Sequence, residues 1–220
     1  MTGLPAFTEL AAARDPDLDV LALALAAEFR EVDAPGAIAT LDALGEELSR
    51  AASGIGDAEL QARACAQLLG ETHGFAGDRE DYDSPENSML DLVLVRRRGL
   101  PILLSVLYVE VARRAGITLA GVGLPGHFVV GHFGTHPPVL IDPFEGGGTL
   151  RAHVPDTGVR PWGAHETAMR MLNNLVVAYQ RRGDVAAAIR AAGMRLALPS
   201  AGPHRATLEA EWRAMQARLN

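Results

Sequence analysis

The chain has 220 residues, room for one large domain or a domain with an extension, and a net charge of −7 in which all 20 basic residues are arginines. An acidic balance of this kind does not advertise a nucleic-acid or anionic-membrane surface. Cys65 is the only cysteine, so no intrachain disulfide can form and a reducing compartment suits the chain. The first residues lack a basic, signal-like stretch, and the apolar run Val20 to Ala27, flanked by Asp19 and Glu28, is too short to span a bilayer. These features lead us to expect a soluble cytoplasmic protein with no nucleic-acid or membrane partner.

In chain order, the turn signal Arg14-Asp15-Pro16-Asp17 introduces a helix over Leu18 to Glu31. Pro35-Gly36 opens a second, Ala37 to Ala52, with Ile38, Leu41, Leu44 and Leu48 on one face. Asp57 caps a third, Ala58 to Thr72, in which Cys65 lies beside Leu68 and Leu69 and reads as a small packed hydrophobe. An acidic, aromatic loop from Gly74 to Pro85 leads into a helix over Glu86 to Arg97. The next helix, Pro101 to Ala115, is apolar almost all round, which marks it as the buried centre of the fold. Three strands follow, near Ile117–Gly123, His127–Phe133 and Val139–Asp142, and helices return over Glu166 to Arg182, Val185 to Leu196 and Pro203 to Leu219.

The strand region carries the chemistry. With Gly134 to Pro137 as a four-residue loop, Phe133 faces Pro138. His127, Val129 and Gly131 then share a face with Leu140 and Asp142, and His127 lies one diagonal step from Asp142, about 7–8 Å at Cα. A carboxylate at that distance fixes the tautomer and basicity of a histidine, readying it to move a proton. The same pair also serves as a purely structural bond at a strand end. Pro125-Gly126 before His127 and Pro143-Phe144-Glu145-Gly146-Gly147-Gly148 after Asp142 allow close backbone approach there. His132 and His136 add imidazoles nearby, but the strand period of two turns His132 to the opposite face from His127 and leaves His136 in the loop. The spacing therefore argues against a metal centre, and no cofactor is implied.

Asn87-Ser88-Met89-Leu90-Asp91, RRRGLPILLSVLYVEVARRAGI from Arg96, GVGLPGHFVV and LIDPFEGGG together resemble the bacterial SirB family of transglutaminase-like proteins. The match is close over roughly 74–150, and the helical C-terminal part is similar to the tetratricopeptide-like tail of that family. The resemblance implies an α+β fold. Its transglutaminase-like core is a central buried helix on a small antiparallel sheet, with N-terminal helices before it and a C-terminal helical hairpin after it. The divisions expected are 1–72 for the N-terminal helices, 73–160 for the core and 161–220 for the extension, in one compact unit.

In active transglutaminase-like enzymes a cysteine begins the core helix, where the helix dipole lowers its pKa, and histidine and aspartate come from the following strands. Here His127 and Asp142 match the last two members, whereas the cysteine position falls on or near Pro101. Ser105, one turn deeper on the same face, reads as a hydroxyl nucleophile, a substrate donor or a buried serine bonding the carbonyl four residues back. Tyr108 shares that face and is expected to line the pocket with Phe144. Asn87 reads as a helix cap with a pocket role implied by the resemblance, and Arg98 as an anion contact or a dipole-matched helix end.

Two functions remain open at this level. One is an enzyme using His127 and Asp142 for proton transfer on an amide, acyl or acidic-proton substrate, small molecule or peptide. The other is a non-catalytic module, its C-terminal helices docking a protein partner. An open pocket around His127 with convergent polar groups favours the first; a His127 sealed by Phe128, Phe144 and Tyr108 favours the second.

Overall fold

The computed structural model describes residues 3–150 and 159–218. Helices α1 (Phe7–Ala12), α2 (Leu18–Ala27), α3 (Ala34–Ala51) and α4 (Ala58–Ala66) come first. The Asp33 and Asp57 carboxylates accept the Gly36 and Leu60 amides and so fix the starts of α3 and α4. Helix α4 runs into a π-helical turn, Gln67–Thr72, then strand β1 (Ala76–Gly77), a 3-10 turn over Pro85–Ser88, helix α5 (Leu90–Arg96) and strand β2 (Arg98–Gly99). Central helix α6 (Pro101–Arg114) precedes β3 (Leu119–Leu124), β4 (His127–His132), β5 (Val139–Asp142), a 3-10 turn over Pro143–Glu145 and β6 (Gly148–Thr149). Helices α7 (Ala164–Arg181), α8 (Val185–Met194) and α9 (Gly202–Gln216) complete the described chain.

The architecture is α+β, and α6 is its axis. Pro101 starts this helix without needing an amide partner, and every residue from Pro101 to Tyr108 is buried. Helices α2, α3, α5 and α7 pack on it, as do β3 and β4. Strands β3-β4-β5-β6 form one antiparallel sheet. Phe128, Val130 and Ile141 join the main core with α6, while Val122, Val129 and Leu140 form a smaller cluster on the other face, backed by Leu124, Phe133, Leu150 and Val159. Helices α7 and α8 form an antiparallel hairpin, and α7 packs on α2 and α6, which ties the C-terminal helices to the rest.

Several elements differ from the sequence expectation. Helix α1, only six residues long, precedes the first helix expected from the sequence and buries Phe7 and Ala11. Helix α2 stops at Ala27 rather than Glu31. The expected helix over Glu86 to Arg97 divides into a 3-10 turn and α5 at Met89, whose backbone is extended (φ −114°, ψ 115°). Arg97 then leaves α5 in a left-handed conformation (φ 57°), and this aims the chain into the parallel β1–β2 pair. Strand β6 is a second element that hydrophobic periodicity does not reveal, being only Gly-Thr. The expected end of the last helix at Leu219 lies outside the described residues.

Candidate active site

A Pro-Gly turn sets the position of His127. Pro125 supplies a fixed φ and Gly126 the positive φ (70°) that a tight turn requires, so Leu124 pairs directly with His127 and the histidine becomes the first residue of β4. On the other side of β4, His132 pairs with Val139 and Val130 with Ile141. This register makes Asp142 a diagonal neighbour of His127, on the same face.

The two side chains meet. His127 Nε2 lies 2.7 Å from Asp142 Oδ2, and the histidine side chain is 31 % exposed against 7 % for the aspartate. The other carboxylate oxygen, Oδ1, accepts the Phe144 amide at 2.9 Å, and the Asp142 carbonyl accepts the Gly147 amide at 2.8 Å. Asp142 is thus held through both side chain and backbone, a rigid acceptor for one ring nitrogen. Bonding at Nε2 leaves Nδ1 as the nitrogen available for proton transfer. The His127 carbonyl accepts a bond from Arg170 of α7 at 2.9 Å.

Neither candidate nucleophile is set up for attack. Ser105 Oγ donates to the Pro101 carbonyl at 2.8 Å and is fully buried. Cys65 is fully buried too, and burial pushes its thiol up to about 12, where thiolate is negligible. Tyr108 is buried, and its hydroxyl has no hydrogen-bond partner among the described residues. Burial first, then the charges of Cys65, Asp142 and Glu71, hold the phenol well above its ordinary range. Tyr108 therefore sits behind the dyad as a neutral side chain.

The remaining expected residues fall on one loop system. Asn87 is fully buried and caps no helix. Its Nδ2 donates to the Asp81 carbonyl at 2.7 Å, and its Oδ1 accepts from Arg96 at 3.1 Å. Arg96 also pairs with Asp78 at 2.9 Å. Asp78 accepts the Asp81 and Glu80 amides, and these bonds, the Asp81 one foremost, hold its carboxyl below the ordinary range. Arg98 donates to the Gly74 and Arg97 carbonyls at 2.7 and 2.9 Å, on the exposed side of β2. Phe144 packs edge-on against Tyr82 with ring centroids 5.9 Å apart, lies under the Arg79 guanidinium and covers Gly77. Sequence reasoning missed Tyr82, Trp162 and Arg170. Trp162 meets the Phe128 ring edge-on and Arg170 lies over both rings. Arg170 lies 43 residues along the chain from His127, so no local periodicity gives a cue to such a contact.

His132 lies on the other sheet face, buried, with Nε2 2.8 Å from Gln61 Oε1 and Nδ1 accepting the Gly134 amide at 3.0 Å. Both nitrogens are occupied by the neutral ring, and burial lowers its pKa. Among the described residues no group of three or more His, Cys, Asp or Glu side chains is arranged to hold a metal ion.

A central helix on an antiparallel sheet, with histidine opening one strand and aspartate closing the next, defines the transglutaminase-like class. The family model described as the transglutaminase-like superfamily matches residues 36–175, and the chain belongs to that superfamily. It is 35 % identical over 161 residues to a UPF0162 protein of Xylella fastidiosa, covering 72 % of this chain and 57 % of that protein. A UPF0162 protein of Vibrio cholerae is 32 % identical over 91 residues, covering 41 % and 34 %. The human F-box only protein 21 is 43 % identical over 56 residues, 26 % of this chain and 9 % of that protein. The chain thus spans little more than half the length of the first of these relatives. No solved structure matches, and among the described residues no helix is long and apolar enough to cross a membrane.

Proposed function

We propose that this domain is an enzyme in which His127, oriented by Asp142, moves a proton on an amide, acyl or other acidic-proton substrate, a small molecule or a peptide, without a thiol nucleophile. The observation that carries this reading is the 2.7 Å contact between a buried, doubly anchored carboxylate and a histidine that keeps 31 % of its side chain exposed. A sealed histidine would have favoured a structural role. With Pro101 at the start of α6 and Cys65 and Ser105 both engaged, water or the substrate itself supplies the attacking group.

Within the superfamily we assign the chain to the SirB-type branch of cytoplasmic bacterial proteins, with α7 and α8 as its tetratricopeptide-like extension and a surface for a protein partner. A second reading, a binding module that kept the fold after losing its nucleophile, is favoured by the absence of a nucleophile at Pro101.

The test is turnover on a panel of amides, esters and acyl compounds, run with thermal melts on the same samples. His127→Ala should lower the rate by about 10²–10⁴-fold with the fold retained, the usual contribution of a positioned acid or base. Asp142→Asn should lower it too, because an amide can reverse the tautomer that His127 presents. Loss of stability of about 1–3 kcal/mol in both variants, with no substrate found for the parent, would instead mark a structural pair.

A further inference from the structure

A cavity of about 600 Å³ opens beside α7, lined by Trp162, His165, Glu166, Met169, Arg170, Asn173, Asn174, Pro199 and His204. Its volume suits a small organic molecule. Its charge balance is unusual for so acidic a chain. Glu166 is neutralised, since both its oxygens face Arg160 at 2.9 and 2.5 Å. Asn173 is occupied by Arg195, which also pairs with Glu211. Arg170 is different. Its one hydrogen bond goes to the His127 carbonyl, and among the described residues it pairs with no carboxylate. It is partly desolvated against the Phe128 and Trp162 rings, 5.4 and 5.9 Å from its guanidinium carbon, and this burial lowers its pKa.

The aromatic wall is rigid. The Trp162 ring comes within 2.1 Å of where a Cβ on Gly123 would stand, and the Trp162 amide donates to the Gly121 carbonyl. A second polar group at the cavity lacks a partner: His165 Nε2 is buried with no hydrogen bond among the described residues. A partly desolvated cation held over aromatic rings, beside a ring nitrogen without a partner among the described residues and the apolar Met169 and Pro199, is built to receive an anion attached to an apolar body.

The geometry points to a binding site for a small carboxylate ligand with an apolar or aromatic group, its carboxylate on Arg170 and its apolar part against Trp162. One positive charge that meets no carboxylate among the described residues matches one negative charge, which favours a carboxylate over a phosphate dianion. The site is distinct from the proton chemistry assigned to His127, although the two share β4 through the Arg170 bond.

Benzoate, its neutral isostere benzamide and phenyl phosphate probe it directly by amide and indole NMR, with no need of turnover. Benzoate should saturate the Trp162 indole shift with a Kd of about 1 mM, an efficiency ordinary for a ligand of this size. Benzamide should not saturate. Arg170→Gln should abolish the saturation. Asn174→Asp, which places a negative charge on the cavity wall without touching the His127 carbonyl, should weaken it at least about tenfold, the effect of 1.4 kcal/mol, while the remaining amide spectrum shows the fold intact. Equal binding of benzoate and benzamide, or benzoate binding unaltered by Asn174→Asp, would overturn the assignment. Tighter binding of phenyl phosphate than of benzoate would overturn the choice of a carboxylate. None of these outcomes bears on the rates of the His127 variants, so the two proposals fail separately.

Discussion

At the scale of single residues the site is decided by which polar atoms are already spoken for. Asp142 has one oxygen on the Phe144 amide and one on His127, so it orients the ring rather than meeting substrate. Ser105 spends its hydroxyl on the Pro101 carbonyl. Cys65, buried and with its thiol pushed up to about 12, is a packing residue. Its thiol should therefore stay unreactive towards a maleimide in the native protein and react at once on unfolding. Cys65→Ala should leave turnover within about twofold while lowering stability by about 1–2 kcal/mol, the loss expected for a small buried group. Rapid labelling of the native protein, or lost turnover in a Cys65→Ala variant with an unchanged melt, would show a thiol role.

At the scale of elements, turns rather than strands place the dyad. The Pro125-Gly126 turn fixes the first residue of β4, and the glycine run after Asp142 folds back against the π-helical turn. Gly70 lies so close to that run that a Cβ would stand 1.8 Å from the Gly146 carbonyl oxygen and 3.1 Å from the Tyr108 hydroxyl. Gly70→Ala must therefore push the loop that holds Asp142. It should cost about 1–3 kcal/mol, as overpacking does, and lower turnover as well; a variant with a parental melt and parental rate would show the loop to be slack. The same elements show what was legible in the sequence. The buried helix α6 was readable from its apolar run, and the His127–Asp142 face from loop length and strand parity, because both follow from local periodicity. The joint at Met89, the left-handed Arg97 and the two-residue strands β1, β2 and β6 were not. They depend on long-range partners, such as the Arg96 bonds to Asp78 and Asn87, that leave no periodic trace.

At the scale of the whole molecule, a buried ion network joins the N-terminal helices to the central one. Arg114 at the end of α6 reaches Asp19 of α2 at 2.5 Å, Asp42 of α3 at 2.7 Å and Glu110 at 2.9 Å. Asp19 and Glu110 are both almost fully buried, and burial, with the Asp19 charge, raises the Glu110 pKa. Arg113 also meets Glu110 at 2.8 Å and Asp19 at 3.7 Å from a half-exposed position, so Arg114→Met would leave the two carboxylates one cation in place of two and should destabilise the protein by about 1–3 kcal/mol in chemical denaturation; a change below about 0.5 kcal/mol would mean that solvent already screens them. The network keeps α2 and α3 locked to α6, whose other side supports the sheet, so the dyad rests on a rigid frame. That frame has one directly measurable consequence at His127. If Asp142 Oδ2 accepts the Nε2 proton, the neutral ring carries its proton on Nε2 and leaves Nδ1 bare. Long-range nitrogen–proton NMR on histidine-labelled protein, with His127→Ala to assign the signal, reports the tautomer without any substrate. The parent should show the Nε2–H form, and Asp142→Asn should lose it. An Nδ1–H ring in the parent, or an Nε2–H ring indifferent to Asp142→Asn, would contradict it.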